Sequence, residues 1–80
     1  MGTVTAVRER IHRLCEEKKM SIHKLAMESG VAPSTIKNIL YGKSRNPGIV
    51  TLKMLCDGFE ISLPSFFETA QFENLEQEIK

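Results

Sequence analysis

The sequence predicts an all-α domain of five short helices, and its last residues have the spacing of a short sixth helix. Apolar residues recur at intervals of three and four along most of the 80 residues, as on one face of an α-helix. Serine, proline and glycine, which commonly begin or end helices, interrupt this pattern. No stretch alternates apolar and polar residues over a convincing strand length. We therefore expect a compact bundle with short connections that contain glycine.

The first two helices are predicted from apolar spacing and from their ends. In the first, Thr3 or Thr5 is the expected cap, and its cationic side chains fall mostly on the faces away from the core. Ser21 is the expected N-cap of the second helix, which ends at Gly30 because glycine readily adopts the left-handed conformation. The inward residues of the two helices are Val4, Val7, Ile11, Leu14, Cys15, Ile22, Leu25 and Ala26.

Three more helices follow. The third begins at Pro33, a favoured first helical residue, and stops at Gly42. The fourth is predicted from Gly48 or Ile49 to residue 57, with Gly58 as its terminator. The fifth begins after the cap Ser62. The inward residues of the third and fourth helices are Ile36, Ile39, Leu40, Leu52, Leu55, Cys56 and Phe59, and the fifth contains the apolar residues Leu63, Phe66 and Phe67.

The C-terminal stretch AQFENLEQEIK spaces Phe72, Leu75 and Ile79 by three and four. This spacing fits either a short amphipathic helix or a frayed tail. The apolar stripe could dock on the protein's own core, which we favour, or bind a partner. We divide the chain into a domain at residues 1–68 and an acidic C-terminal segment at residues 69–80.

The charges are distributed unevenly along the chain. Residues 1–53 hold ten Lys or Arg and four Glu, whereas residues 54–80 hold one Lys, one Asp and five Glu. The net charge of +1 thus combines +6 in the first part with −5 in the second. A basic body with an acidic end indicates a side that faces a polyanion and a side that faces solvent.

The predicted helices at 21–29 and 33–41, joined by a tight turn at Gly30, form a helix-turn-helix arrangement. On the second of these helices, the positions opposite the apolar row share one outer face. A helix fits the major groove of B-DNA, where asparagine can bond adenine and lysine can bond guanine. The outer positions are Pro33, Ser34, Lys37, Asn38 and Tyr41.

An ordered set of short motifs resembles the lambda-repressor-like family of Cro/cI-type, or XRE-like, helix-turn-helix proteins over about residues 4–68. The resemblance implies a five-helix domain that binds double-stranded DNA, usually as a dimer. The motifs are Leu25-Ala26, Gly30-Val31, Thr35-Ile36, Gly42, Asn46-Pro47, Thr51-Leu52, Ile61-Ser62-Leu63 and Phe66-Phe67.

The resemblance also implies which residues contact DNA. It assigns base contacts to Pro33, Ser34, Lys37 and Asn38, although Pro33 can offer only an apolar contact to a thymine methyl group. Backbone N–H groups near Gly42 and Lys43 and at the start of the second helix could hold phosphates as well. The residues expected to contact phosphates are Ser21, Thr35, Tyr41, Lys43, Arg45 and Asn46.

The sequence departs from the family pattern at three places. Ile22 stands where many relatives carry a glutamine that contacts DNA or braces the recognition helix. Ala32 stands where many carry a capping serine or threonine. Cys15 and Leu40 replace an Arg–Glu pair found in some relatives, an apolar pairing that avoids burying charge.

Other functional classes have little support in the sequence. No nucleophile is spaced with a base, and no glycine-rich phosphate loop occurs, so we expect no enzyme. His12 and Cys15 form half of a metal site, but only His23 and Cys56 remain to complete it, so neither metal nor cofactor is predicted. A Cys15–Cys56 redox switch is equally weakly supported. Neither a membrane segment nor a secretory signal is evident, and we expect reduced thiols in the cytoplasm.

The sequence therefore predicts a DNA-binding transcriptional regulator, specifically a small repressor of phage or mobile-element type. It would bind a palindromic operator as a homodimer, with half-sites about one helical turn apart. The alternative is a protein-interaction module on the same fold, such as an antitoxin or an anti-repressor, whose C-terminal segment binds a partner.

Overall fold

The computed structural model describes residues 1–79, and every regular element in that range is helical. The prediction of an all-α, five-helix domain is therefore confirmed. The helices are α1 (Thr3–Lys18), α2 (Ile22–Ser29), α3 (Pro33–Leu40), α4 (Ile49–Phe59) and α5 (Leu63–Phe66), and a single 3₁₀ turn, Ala70–Phe72, follows them.

One hydrophobic core connects all five helices. Helix α2 packs mainly on α4, while α3 packs on both α1 and α2, so the α2–α3 pair is supported from two sides. Cys15 and Ile22 are partly buried against this core. The buried core residues are Val7, Ile11, Leu14, Leu25, Ala26, Val31, Ile36, Ile39, Leu40, Leu52, Leu55, Cys56, Phe59 and Phe66.

The ends of the helices agree only partly with the sequence analysis. Ser21 accepts a hydrogen bond from the Lys24 N–H at 3.0 Å, and Ser62 begins α5 in the same way. Helix α1 instead follows Gly2 and has no side-chain cap, so the prediction that Thr3 or Thr5 caps it is wrong. Thr3 is already helical, and a capping residue needs an extended backbone.

Gly58 does not end α4, contrary to the prediction. The helix runs to Phe59, and Glu60 takes the left-handed conformation with φ of 61°. A Cβ atom on Gly58 would lie 2.9 Å from the Cβ of Ser29 and 3.1 Å from that residue's Cα and N atoms. Glycine is therefore needed at this position because α2 and α4 approach each other closely.

Arg10 is buried, whereas the sequence analysis placed the cations of the first helix mostly on its other faces. Its exposed fraction is 9%. Its Nε donates to the carbonyl of Phe66 at 2.8 Å, and its Nη2 donates to that of Ser65 at 3.1 Å. The guanidinium also lies 5.8 Å from the centroid of the Phe66 ring. Arg10 thus joins α1 to the end of α5.

The C-terminal segment docks at its start and is not an amphipathic helix. Phe72 packs against the core, with its ring centroid 5.0 Å from that of Phe67. Gln71 Nε2 donates to the Ala6 carbonyl at 3.3 Å. After the 3₁₀ turn the described residues are not helical, and Ile79 is 86% exposed. The aromatic contacts of Phe72 therefore hold only the beginning of the predicted apolar stripe.

Candidate nucleic-acid interface

Helix α3 presents a polar outer face that has no part in the core. Ile36, Ile39 and Leu40 are almost fully buried and fix the rotation of the helix about its axis. The four residues predicted to contact bases are all exposed, and they recur at helical spacing on the outer side. They are Pro33, Ser34, Lys37 and Asn38.

The turn between α2 and α3 is held by two residues. Gly30 has a φ of 75°, and its N–H donates to the carbonyl of Ala26. The Ser29 hydroxyl donates to the Leu25 carbonyl at 2.6 Å and accepts from the Val31 N–H at 3.2 Å. The sequence analysis found the glycine but not the serine. Together these bonds set the direction in which α3 leaves α2.

The loop after α3 folds back on the end of that helix. Gly42 has a φ of 84°, and the N–H groups of Lys43 and Ser44 both donate to the Asn38 carbonyl at 2.9 Å. The backbone N–H of Lys43 is therefore occupied within the protein, contrary to the expectation that it could hold a phosphate. The Lys43 side chain is exposed.

Arg45 and Asn46 are exposed farther along the same loop. They line a hollow together with Thr3, Val4 and Glu78. The loop thus lies beside the N-terminal end of α1 and close to the acidic C-terminal segment. Both side chains keep the exposure that a contact to a phosphate would require.

The first turn of α2 offers two backbone N–H groups to an anion, those of Ile22 and His23. The next two N–H groups are already bonded within the protein. The backbone N–H of Lys24 donates to the Ser21 hydroxyl, and that of Leu25 donates to the Ser21 carbonyl, both at 3.0 Å. The N–H groups of Ile22 and His23 belong to the first turn and have no intrahelical partner. The positive end of a helix attracts anions there. Lys24 itself forms an ion pair with Glu28 at 2.9 Å.

Thr35 and Tyr41 flank the outer face of α3. Thr35 is exposed, and its N–H donates to the Ala32 carbonyl at 3.0 Å. Tyr41 follows the helix directly and is 65% exposed, so most of its ring is in solvent rather than packed on the body.

Comparison with known proteins identifies the family. A family model described as the Cro/C1-type HTH DNA-binding domain matches residues 10–69, which is most of the chain. The chain belongs to this helix-turn-helix DNA-binding family. The predicted family resemblance is therefore confirmed, and the protein is related to DNA-binding transcriptional regulators.

Individual relatives of this Cro/C1-type chain agree with that placement. It is 38% identical over 69 residues to the HTH-type transcriptional regulator SlrR of Bacillus subtilis (strain 168), covering 82% of this chain and 45% of SlrR. The chain thus spans somewhat less than half the length of that relative.

Two solved structures also superpose well on the Cro/C1-type fold. The crystal structure of the prophage Lp1 protein 11 has a TM-score of 0.79 at 26% identity, covering 94% of this chain and 100% of that chain. The wild-type restriction-modification controller protein C.Esp1396I has a TM-score of 0.78 at 31% identity, covering 94% and 95%.

The three departures from the family pattern have clear structural outcomes. Ile22 packs partly against the core, and no side chain caps α3 at Ala32. Leu40 lies in the core, and Cys15 packs against the core, so apolar side chains occupy the two positions where some relatives carry an Arg–Glu pair. Ile22, Leu40 and Cys15 thus add apolar packing to the Cro/C1-type fold, whereas Ala32 leaves the start of α3 without a side-chain cap.

Arg8 lies beside the end of α3, a position that the sequence analysis missed. Its Nε donates to the carbonyl of Ile39 near the end of α3, at 3.2 Å. Its guanidinium also lies beside Gly42. Its spacing in the sequence could have indicated this, because Arg8 follows Val4 by four residues and precedes Ile11 by three. That spacing places it at the edge of the apolar stripe of α1.

The residues considered for metal or redox chemistry include Cys15 and Cys56, which are both free thiols. Within residues 1–79, no three His, Cys, Asp or Glu side chains are grouped so that they could hold a metal ion. Burial raises the pKa of both the Cys15 and the Cys56 thiol, and the charge of Asp57 raises that of Cys56 further. Across the same range, no helix has both the length and the apolar character needed to span a bilayer.

Proposed function

We propose that the protein is a sequence-specific, non-enzymatic repressor that reads the major groove with α3. The observation that carries this proposal is the division of α3 between a buried apolar row and an exposed face bearing Ser34, Lys37 and Asn38. Within residues 1–79 these three side chains form no hydrogen bond or ion pair, so their polar groups are free to bind a ligand. Asn38 suits adenine, Lys37 suits guanine, and Pro33 suits a thymine methyl group.

The phosphate contacts in this proposal come from both sides of α3. Ser21 and the first turn of α2 lie before it, while Thr35 and Tyr41 flank its face. The loop after α3 supplies the cations Lys43 and Arg45, with Asn46 alongside. These contacts would fix the register of the protein and provide salt-dependent affinity without reading sequence.

We further propose that the protein binds a palindromic operator as a homodimer, in the manner of a small repressor of phage or mobile-element type. It would act in a bacterial cytoplasm, at the nucleoid. Residues 1–68 would form the DNA-binding domain, and residues 69–80 would be an acidic extension. Half-sites about one helical turn apart would match a two-fold symmetric dimer.

The experiment is selection of bound duplexes from a randomised pool at about physiological salt, followed by two variants. Asn38→Ala should relax sequence preference at one position of each half-site. Arg45→Ala should weaken binding to all duplexes about equally. It should also reduce by about 1 the salt slope, which is the magnitude of the slope of log binding constant against log salt concentration. Arg13→Ala is the charge-matched control, because Arg13 lies near Glu9, Glu16 and Gln71 on another part of α1.

Enrichment of a palindrome, with these two distinct effects, would support the proposal. A parent protein that enriches no sequence would refute sequence-specific reading. If Asn38→Ala leaves the selected motif unchanged, the assignment of the reading face is wrong even though the protein binds DNA.

A second candidate is a protein-interaction module, favoured by the exposed Ile79 at the end of the acidic segment. Because Phe72 is docked on the core, a partner would bind beyond it. Removal of residues 73–80 should then abolish a defined complex while the domain stays folded. A complex that survives this truncation would rule out the segment as its binding site.

A further inference from the structure

Arg8 is held against the backbone at the point where α3 ends. Its side chain extends from α1, and its Nε donates to the Ile39 carbonyl at 3.2 Å. A Cβ atom on Gly42 would lie 3.5 Å from Nη2 of Arg8 and 3.8 Å from its Cζ. The guanidinium is therefore next to the residue that separates Tyr41 from Lys43.

The charge of Arg8 is not neutralised within the described part of the chain. In residues 1–79 the ion pairs within 4.0 Å are Met1 with Glu76, Lys24 with Glu28, and Lys53 with Asp57. A guanidinium has five N–H donors, and the bond to Ile39 uses only the one on Nε. The four donors on Nη1 and Nη2 are left to bind a further acceptor.

We propose that Arg8 is an additional phosphate-binding residue of the DNA interface, acting beside Tyr41 and Lys43. The inference rests on the proposed function, because the ligand is the backbone of double-stranded DNA. The terminal nitrogens of a guanidinium match the oxygens of a phosphate in a two-bond geometry. The bond to Ile39 orients the side chain beforehand, which reduces the entropy lost on binding.

A purely structural role makes a different prediction. A cation at the C-terminal end of α3 satisfies a free carbonyl and interacts favourably with the helix dipole. If Arg8 did only this, its loss would lower the stability of the protein. The number of phosphates neutralised by the folded protein would not change, so the salt dependence of DNA binding would stay the same.

The test compares Arg8→Gln with Arg13→Gln, which makes the same change of charge on another part of α1. Binding to a selected duplex and to a random duplex is measured by fluorescence anisotropy over a range of KCl concentrations, well below each melting temperature. Arg8→Gln should weaken binding to both duplexes by a similar factor of about ten, the worth of one charged hydrogen bond. It should also reduce the salt slope by about 1. Arg13→Gln should do neither.

A second measurement keeps the proposal testable if Arg8→Gln fails to fold. In the ¹⁵N-labelled parent protein, the Nε–H signal of Arg8 should shift when the duplex is added. Arg8→Lys removes that signal and so assigns it. The Nε–H of Arg10 is the internal control, because the Arg10 guanidinium is buried and its Nη2 is already bound to the Ser65 carbonyl, so it cannot take a phosphate and should not move.

The outcomes separate this inference from the proposed function. Equal effects of Arg8→Gln and Arg13→Gln, or an unmoved Arg8 signal at saturating duplex, would overturn the role of Arg8 alone. A parent protein that binds neither duplex would overturn the proposed function and this inference with it.

Discussion

Replacement of Gly58 by alanine sets two effects against each other, and the structure indicates which is larger. Alanine is favoured over glycine inside a helix by about 1 kcal/mol. The new Cβ, however, would lie 2.9 Å from the Ser29 Cβ and 3.1 Å from that residue's Cα and N atoms. Two of these three atoms are backbone, so relief requires α2 and α4 to move apart. Such overpacking costs about 1–3 kcal/mol, and we place this site in the upper half of that range.

The expected net loss for Gly58→Ala is therefore about 1–2 kcal/mol, which lowers the melting temperature by about 4–8 °C per kcal/mol in a domain of this size. Circular dichroism during thermal and urea unfolding measures it. Gly48→Ala is the control, because the nearest atom to its Cβ would be Thr51 Oγ1 at 3.9 Å. At this N-cap position alanine is a poorer cap than glycine, but it also lowers the entropy of the unfolded chain, and these two effects on stability nearly cancel. A Gly58→Ala variant as stable as the parent would show that the helices are not in close contact.

Three further outcomes are expected. Arg10→Met should lower the free energy of unfolding, measured in urea, by about 2–4 kcal/mol, because the carbonyls of Ser65 and Phe66 lose hydrogen bonds from a cation. The control Arg13→Met should change it by under about 0.5 kcal/mol. If Pro33 contacts a thymine methyl group as proposed, uracil in place of that thymine should weaken binding to a selected duplex about four-fold, because one methyl group contributes ~0.8 kcal/mol. The same change at thymines outside the site should have no effect. Burial raises the pKa of the Cys15 and Cys56 thiols above the ordinary value of 9.0, so above that pH the folded state keeps protons that the unfolded state releases. The free energy of unfolding should therefore stay constant below pH 9.0 as far as these thiols are concerned, and should fall as the pH rises past it. The double variant Cys15→Ala with Cys56→Ala should flatten this part of the pH–stability profile, and an unchanged slope would contradict the assignment.

The sequence predicted the elements well where local signals decided them. Ser21, Gly30, Pro33 and Ser62 have the predicted places at helix ends, because caps and turns depend on neighbouring residues. Gly58 was misread for the opposite reason. A glycine near the end of a helical pattern is typical of a terminator, and only contact with Ser29, far away in sequence, makes it a position of close packing.

The two arginines of α1 show a different limit of sequence reasoning. Arg10 follows Val7 by three residues and precedes Leu14 by four, so periodicity alone puts it on the buried face. Its charge argued for the surface, but backbone carbonyls at the end of α5 satisfy it. Arg8 is similar, with its acceptor at the end of α3. No pattern in the sequence predicts that an arginine will bind backbone carbonyls at the end of a helix far away in the chain.

The candidate interface was predictable as a face but not in its bonding. Helical spacing placed Ser34, Lys37 and Asn38 outward, and they are exposed. The occupied N–H of Lys43 could not be foreseen, because it depends on the loop folding back to the Asn38 carbonyl. Which side chains contact bases and which contact phosphates stays a prediction for the binding experiments.

The family departures and Arg8 together suggest how this chain holds its recognition helix. Apolar packing of Leu40 and Cys15 replaces a pair of opposite charges, and a single cation from α1 binds the end of α3 at Ile39. An Arg–Glu pair neutralises its own cation, whereas an arginine bound only to a carbonyl keeps its full charge. In this chain the group that positions α3 can therefore also attract DNA. If Arg8 binds a phosphate as proposed, one side chain links the orientation of α3 to the affinity of the protein for the DNA backbone.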